Sequence, residues 1–402
     1  MHANRRNVFS DLRGASRLTI DAIIGTTDLV EAVHRTIATF GGLLGDADRQ
    51  RMKGITGMVY WNIRTVTGLV GGGIDVLLRQ LVPILGGKGS SPEREAVQSI
   101  LNGIVGDHLV DTANPLAIRM QLRRKGKSLT RDDRAVRAAI QESEGKMMLF
   151  VHGWCANDLQ WNQSGHDHPA ALACDLEYVP VYLQYNSGLH ISENGTELSK
   201  LLETFVGEWP ELKELTIIAY SMGGLISRSA CHYGEVAGQS WLHHLRKLVC
   251  IGAPHHGAPL ERYGNWIDNV LEITPYSAPF SRLGKIRSAG ITDMRYGNLL
   301  HDDWGGLDRF YLSGDRRRAV PLPAGVQCYA IAATTGKKAS NFRDNVIGDG
   351  LVPLNSALGR HKKADLNLLF PESHQWIGRN MNHKDLITKL EVYDVIRRWF
   401  AL

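Results

Sequence analysis

Ser221 stands in the stretch IIAYSMGGLI, residues 217–226, between an apolar run and two glycines. A serine hydroxyl attacks a carbonyl only when a base removes its proton and an acid orients that base. Two later segments supply those residue types. IGDGLVPLNS sets Asp349 between glycines, and RNMNHKDLIT sets His383 shortly before the last helical stretch. A serine on a sharp strand-to-helix turn needs small residues two places to either side. Ala219 and Gly223 fill those places, so the pattern is A-x-S-x-G where G-x-S-x-G would have two glycines. The chemistry these residues would perform is acyl transfer.

Acyl transfer also needs donors for the oxyanion. One is expected from the backbone N–H of Met222, at the start of a helix whose dipole helps. The second is expected from the loop VHGWCAND, residues 151–158, and is assigned to the Trp154 N–H, with Gly153 allowing close approach. Competing readings exist for each residue. Ser221 could simply cap a helix. Asp-Gly is an ordinary turn pair, with Asp344 the substitute acid, and His374 is the rival base. His255 and His256 in GAPHHGAP, and His166, Asp167 and His168, raise a metal site. For the first pair loop shaping is the preferred reading, because adjacent histidines diverge and no carboxylate is spaced to complete a site, and for the second group a solvated loop is preferred. Cys155 reads as a small core filler more than a reactive thiol.

These residues must be positioned by a sheet. After residue 145, KMMLFVHG, YVPVYLQYN, ELTIIAYS, KLVCIGAP and VQCYAIAAT read as buried strands, and most end at Gly, Ser or Asn. Strands alternating with helical segments give an α/β fold, a mostly parallel sheet covered on both faces, with ligands beyond the carboxyl ends of the strands. Before residue 145 the pattern is helical. Ile20, Ile23, Ile24, Val30, Val33, Ile37 and Phe40 recur at helical spacing, as do Val59, Ile63, Val66, Val70, Ile74, Leu77 and Leu81. Ser91-Pro92-Glu93 starts a further helix. RMQLRRKGKSLTRDDRAVR, residues 119–137, reads as a linker or exposed helix with a solvated basic face.

FVHGW, AYSMGGL, GAPHHGAP, DGLVP and MNHKDL, in that order, resemble the bacterial lipase/esterase branch of the α/β-hydrolases, closest to the group related to GPI-inositol deacylases. The resemblance covers residues 145–402. It implies an α/β-hydrolase fold and a serine hydrolase for esters, with Ser221, Asp349 and His383 matching nucleophile, acid and base. Some relatives bind calcium beside the histidine. Asp385 matches one ligand, but Lys389 stands where another oxygen is wanted, so no metal and no cofactor are expected.

The implied organisation is a helical region, 1–140, before a hydrolase domain, 145–402. Residues 258–325 form an insertion read as a cap over the serine, with Trp266, Leu271 and Tyr276 as substrate contacts. The expected substrate is a small-molecule or lipid ester with an apolar acyl chain. An acyltransferase, a depolymerase of intracellular polyester, and a lipid- or granule-surface binding protein are the alternatives. The 402 residues are 43% hydrophobic and 22% charged with a net charge of +5. That is an ordinary globular composition, and no basic-aromatic pattern suggests nucleic acid. Five scattered cysteines without CxxC spacing and the lack of a secretory or ~20-residue apolar stretch suit the cytoplasm, and peripheral contact of residues 1–140 with an anionic membrane or lipid surface is the alternative to the solvated face.

Overall fold

The computed structural model describes residues 92–111, 113–163, 166–258, 288–306, 315–337, 344 and 347–400. The two amphipathic segments before residue 91, and Trp266, Leu271 and Tyr276, lie outside the described residues. Among those described, no helix is long and apolar enough to cross a membrane.

Helix α1 (Pro92–Asp111) starts at the proline expected to open it and leads to a hairpin of β1 (Gln121–Arg124) and β2 (Lys127–Ser128). After α2 (Arg134–Glu142) comes β3 (Lys146–Val151). A two-stranded ribbon follows, β4 (Asn162–Gln163) with β5 (His166–Asp167), then α3 (His168–Asp175) and β6 (Val179–Gln184). Helix α4 (Ile191–Glu208), β7 (Glu214–Tyr220), α5 (Met222–Val236) and β8 (Leu245–Ile251) come next. The chain closes with α6 (Ala289–Asp293), β9 (Gln327–Thr334), α7 (Leu354–Ala357), β10 (Gln375–Arg379) and α8 (Leu390–Phe400).

Among the described residues, eight strands make one sheet in the order β10-β9-β8-β7-β3-β6-β1-β2. From β10 to β6 every pairing is parallel, and the β1–β2 hairpin joins β6 antiparallel. The five strands expected from the sequence are β3, β6, β7, β8 and β9. Each feeds both faces of the sheet, because side chains alternate along a strand. Met147, Leu149 and Val151 of β3 join one apolar cluster with residues of α1, α4 and α5. Met148 and Phe150 join the opposite cluster, which is closed by α8. The chain order runs from β3 outward to β6 and then back across to β7. A crevice therefore opens at the carboxyl ends of β3 and β7, the place where such sheets bind ligands.

Two expectations change. Residues 119–137 are neither linker nor exposed helix. They form the edge hairpin and the start of α2, and Arg123 is buried there, 2.8 Å from Glu95 and 2.9 Å from Asp158. Paired acids 28 and 35 residues away in sequence offset the cost of burying that charge, and the local charge density gave no sign of them. The change of character near residue 145 marks where the central strands begin, not where the packing begins. Val97, Ile100, Leu101 and Ile104 of α1 belong to the same core as β3 and β7.

Candidate active site

The register pairs Val151 with Ala219, so β3 and β7 end side by side. Ser221 follows β7 at once and is the residue before α5, with φ 55° and ψ −125°. That conformation is costly for a non-glycine residue and persists only where the surroundings enforce it. Here Ser221 N–H donates to Ile251 O at 2.8 Å, and Gly223 packs beneath the turn. A Cβ on Gly223 would stand 2.6 Å from Val151 O and 2.7 Å from His152 O. Ala219 is buried within β7, so a methyl is accommodated where a glycine was the family expectation. The Ser221 side chain makes no capping hydrogen bond, which removes the plain helix-cap reading.

Asp349 is buried in the turn after β9, between Gly348 at φ 56° and Gly350 at φ 96°. Its Oδ1 accepts the N–H groups of Leu351 (2.9 Å) and Val352 (2.8 Å). Its Oδ2 lies 2.7 Å from His383 Nδ1, and His383 N–H donates to Asp349 O at 3.0 Å. With the carboxylate as acceptor, the imidazole carries its proton on Nδ1 and keeps the Nε2 lone pair. The ring is lodged between Tyr220, at 4.9 Å between centroids, and Gly252, whose added Cβ would be 3.0 Å from His383 Cε1. Tyr220 OH donates to His383 O at 3.0 Å. Ser221 and His383 thus flank the same Ile251-Gly252 pair at the end of β8.

The rival residues are elsewhere. Asp344 accepts from Thr334 Oγ1 at 2.7 Å and faces Arg379. His374 binds Cys328 O at 3.1 Å, near the amino end of β9 and away from the carboxyl-end crevice.

The loop after β3 passes directly over the serine. A Cβ on Gly153 would meet Ser221 Cβ at 3.1 Å, so glycine lets the loop pass close without crowding the serine. Trp154 is therefore brought beside Ser221, and Met222 N–H heads α5, where the first amides have no intrahelical acceptor. His152 stacks on Tyr185 at 4.2 Å, and burial lowers its pKa to about 4. Cys155 is a buried thiol with its pKa pushed up by desolvation, as a core residue would have.

His255 and His256 shape the loop after β8. Arg228 Nη1 meets His255 Nδ1 at 3.3 Å, and Arg317 Nη2 meets His256 Nδ1 at 2.9 Å. Burial first, and these cations second, hold His255 well below its usual pKa, and burial takes His256 down to about 3. Asp167 and His168 are not a solvated loop. Asp167 accepts from Ala170 N–H to cap α3, and buried His168 reaches Lys389 O at 3.0 Å. Among the described residues no group of three His, Cys, Asp or Glu side chains is gathered for a metal.

Part of the insertion after β8 is described, and it is anchored. Ile291, Met294, Leu299, Leu300 and Val320 are buried in the core that α1, α4 and α5 share. Gly290 of α6 lies against the Met222 side chain, its added Cβ 3.1 Å from Met222 Cε. The sequence reading missed Tyr220 and Gly252 as supports of the histidine, and α1 as a neighbour of the Trp154 loop. For Gly252 its place at a strand end was the available signal. For α1 there was none.

A mostly parallel sheet with a strained serine between strand and helix, and an Asp–His pair on loops that follow later strands, defines an α/β-hydrolase fold. Residues 118–293 match a family described as a domain of unknown function, DUF7379. No curated protein matches the chain. Among solved structures it is similar to the mature form of Bacillus licheniformis lipase BlEst2, at 16% identity and TM-score 0.40, over 64% of this chain and 92% of that one. Aspergillus fumigatus lipase B aligns at 9% identity and TM-score 0.40, over 70% of this chain and 56% of that one. An alpha/beta hydrolase fold protein from Chitinophaga pinensis aligns at 9% identity and TM-score 0.35, over 63% and 89%.

Proposed function

We propose that this chain is a serine hydrolase of the esterase/lipase kind, cleaving carboxylic esters with an apolar acyl part. The observation that carries the reading is the 2.7 Å Asp349–His383 pair standing beside a serine whose backbone is held at φ 55°. In this reading His383 Nε2 takes the Ser221 proton as Oγ attacks the carbonyl carbon. Asp349 holds the ring and stabilises the imidazolium. The N–H groups of Trp154 and Met222 receive the oxyanion. His383 then returns the proton to the leaving alcohol, and a water activated by the same nitrogen releases the acid from the acyl-enzyme. The five motifs support a kinship with the GPI-inositol deacylase group, and Trp266, Leu271 and Tyr276 are proposed as substrate-binding residues.

The test is labelling by a fluorophosphonate, which needs an activated serine and no knowledge of the substrate. Modification mapped to Ser221 in the wild type, and lost in His383→Ala, supports the triad. A folded wild type that stays unlabelled with detergent or vesicles present sinks it. Contact of residues 1–140 with an anionic surface belongs to the same proposal. Flotation of the full chain with phosphatidylglycerol vesicles, compared with neutral ones, decides it.

A further inference from the structure

Helix α1 precedes all five motifs, yet its backbone is built into the loop that would carry the oxyanion. Its helical run is interrupted at Val105 (φ −135°, ψ 24°). On the turn before this break, Gly103 O accepts two hydrogen bonds from outside the helix, from Trp154 Nε1–H and from Ser288 Oγ–H, each at 2.7 Å. A carbonyl has two lone pairs, so this oxygen is fully engaged by the site's surroundings. Cys155 Sγ–H reaches Ile100 O at 3.6 Å, and Asn186 Nδ2–H donates to Gly106 O at 2.9 Å.

The contact is backbone against backbone. A Cβ on Gly103 would be 2.3 Å from Cys155 Sγ and 3.0 Å from Cys155 Cα. A Cβ on Gly188 would be 2.1 Å from Asn102 O and 2.7 Å from Gly106 N. Helix α1 therefore touches two strand-end loops at once, the one after β3 and the one after β6. These loops are also joined to each other by Cys155 N–H to Ser187 Oγ at 3.1 Å. The residue so gripped, Cys155, has φ 58° without being glycine. Such a conformation is kept only when its neighbours over-determine it, and it adjoins Trp154 directly.

We infer that α1 is a brace for the oxyanion loop, and that Gly103 and the Trp154 indole are positioning residues of the reaction. This rests on the ester-hydrolase reading above. The indole N–H anchors Trp154 from one side, and the Gly103–Cys155 contact fixes the next peptide. Together they set the direction of the Trp154 backbone N–H relative to Ser221. A loosened anchor leaves substrate binding alone and weakens only the transition state, where the oxyanion exists.

The experiment compares wild type, Trp154→Phe and Gly103→Ala in the full chain, with a short p-nitrophenyl ester and a trifluoromethyl ketone. The ketone forms a hemiketal on an activated serine and places an oxyanion in the hole. For Trp154→Phe we expect kcat to fall at least tenfold with KM within twofold, and the ketone Ki to rise by the same factor as kcat/KM falls. Gly103→Ala should show the same signature, relieved in part by adding Cys155→Gly, which removes the thiol and suits the positive φ. If Gly103→Ala does not fold, Trp154→Phe alone decides. Wild-type kcat and Ki in a folded Trp154→Phe overturn the brace, as does a loss confined to KM. A wild type that neither turns over ester nor binds the ketone refutes instead the hydrolase reading on which the brace depends.

Discussion

Asp349→Asn separates geometry from charge, because the structure dictates how the amide must sit. Asp349 Oδ1 accepts two backbone N–H groups, at 2.9 and 2.8 Å. An asparagine can keep both bonds only with its oxygen in that place, which turns its NH2 toward His383 Nδ1 at 2.7 Å. A donor there requires Nδ1 to be the acceptor, so the ring proton moves to Nε2. The lone pair needed to deprotonate Ser221 is gone. The wrong tautomer costs about 10⁴ in kcat in a triad, which is about 5 kcal/mol of barrier. Stability changes little, since the two amide bonds survive and one charged bond becomes neutral, about 1 kcal/mol. Asp349→Ala should lose as much activity and also leave two buried N–H groups unpaired, a further ~1–3 kcal/mol each. The assay is turnover of a chromogenic ester alongside thermal melts of the three proteins. Activity within tenfold of wild type in a folded Asp349→Asn would refute the assignment of this acid and of the tautomer it imposes.

Three further outcomes follow from the same coordinates. Gly223→Ala puts a methyl 2.6 Å from Val151 O, so the turn must shift. We expect ~1–3 kcal/mol lost in urea melts and at least a tenfold lower kcat, and a variant with wild-type values in both would contradict the packed turn. His152 is held neutral by burial, with its pKa lowered to about 4 from 6.5. Above pH 6.5 it is uncharged folded and unfolded. Below that the unfolded chain takes a proton the native state refuses, so stability falls by about 1.4 kcal/mol per pH unit down to about pH 4. His255, also depressed, adds to the slope. Urea midpoints for wild type and His152→Asn across pH 7 to 4.5 check this, with a shallower slope expected in the mutant. Arg123→Met leaves Glu95 and Asp158 without their buried cation. A loss of ~3–5 kcal/mol is expected, read as a lower chemical denaturation midpoint, and an unchanged midpoint would mean the pair is not buried.

Periodicity and punctuation carried the sheet. Buried parallel strands are continuous apolar runs that end where the chain turns, and β3, β6, β7, β8 and β9 are written that way in the sequence. Ser221, Asp349 and His383 were likewise legible as candidates for the proposed triad, because a base and an acid on strand-end loops are local features arranged in chain order. What sequence could not provide was anything that depends on partners distant along the chain. Arg123 reads as one more charge in a basic stretch, and only folding brings it Glu95 and Asp158 to make burial tolerable. His374 and His383 are both histidines near a strand. The choice between them is made by the sheet, which carries one to the amino end of β9 and packs the other against Tyr220 and Gly252 at the carboxyl ends. Gly103 and Gly106 weaken a helix on propensity alone. Their reason appears only when α1 lies against two strand-end loops, Gly103 on Cys155 and Gly106 on Asn186, closer than a Cβ would allow. The sequence alone determined the residue types on offer and the apolar runs that become the strands holding them, because both are encoded in short stretches. Tertiary structure alone decided which groups meet and which charges are buried, because those follow from contacts between segments tens to hundreds of residues apart.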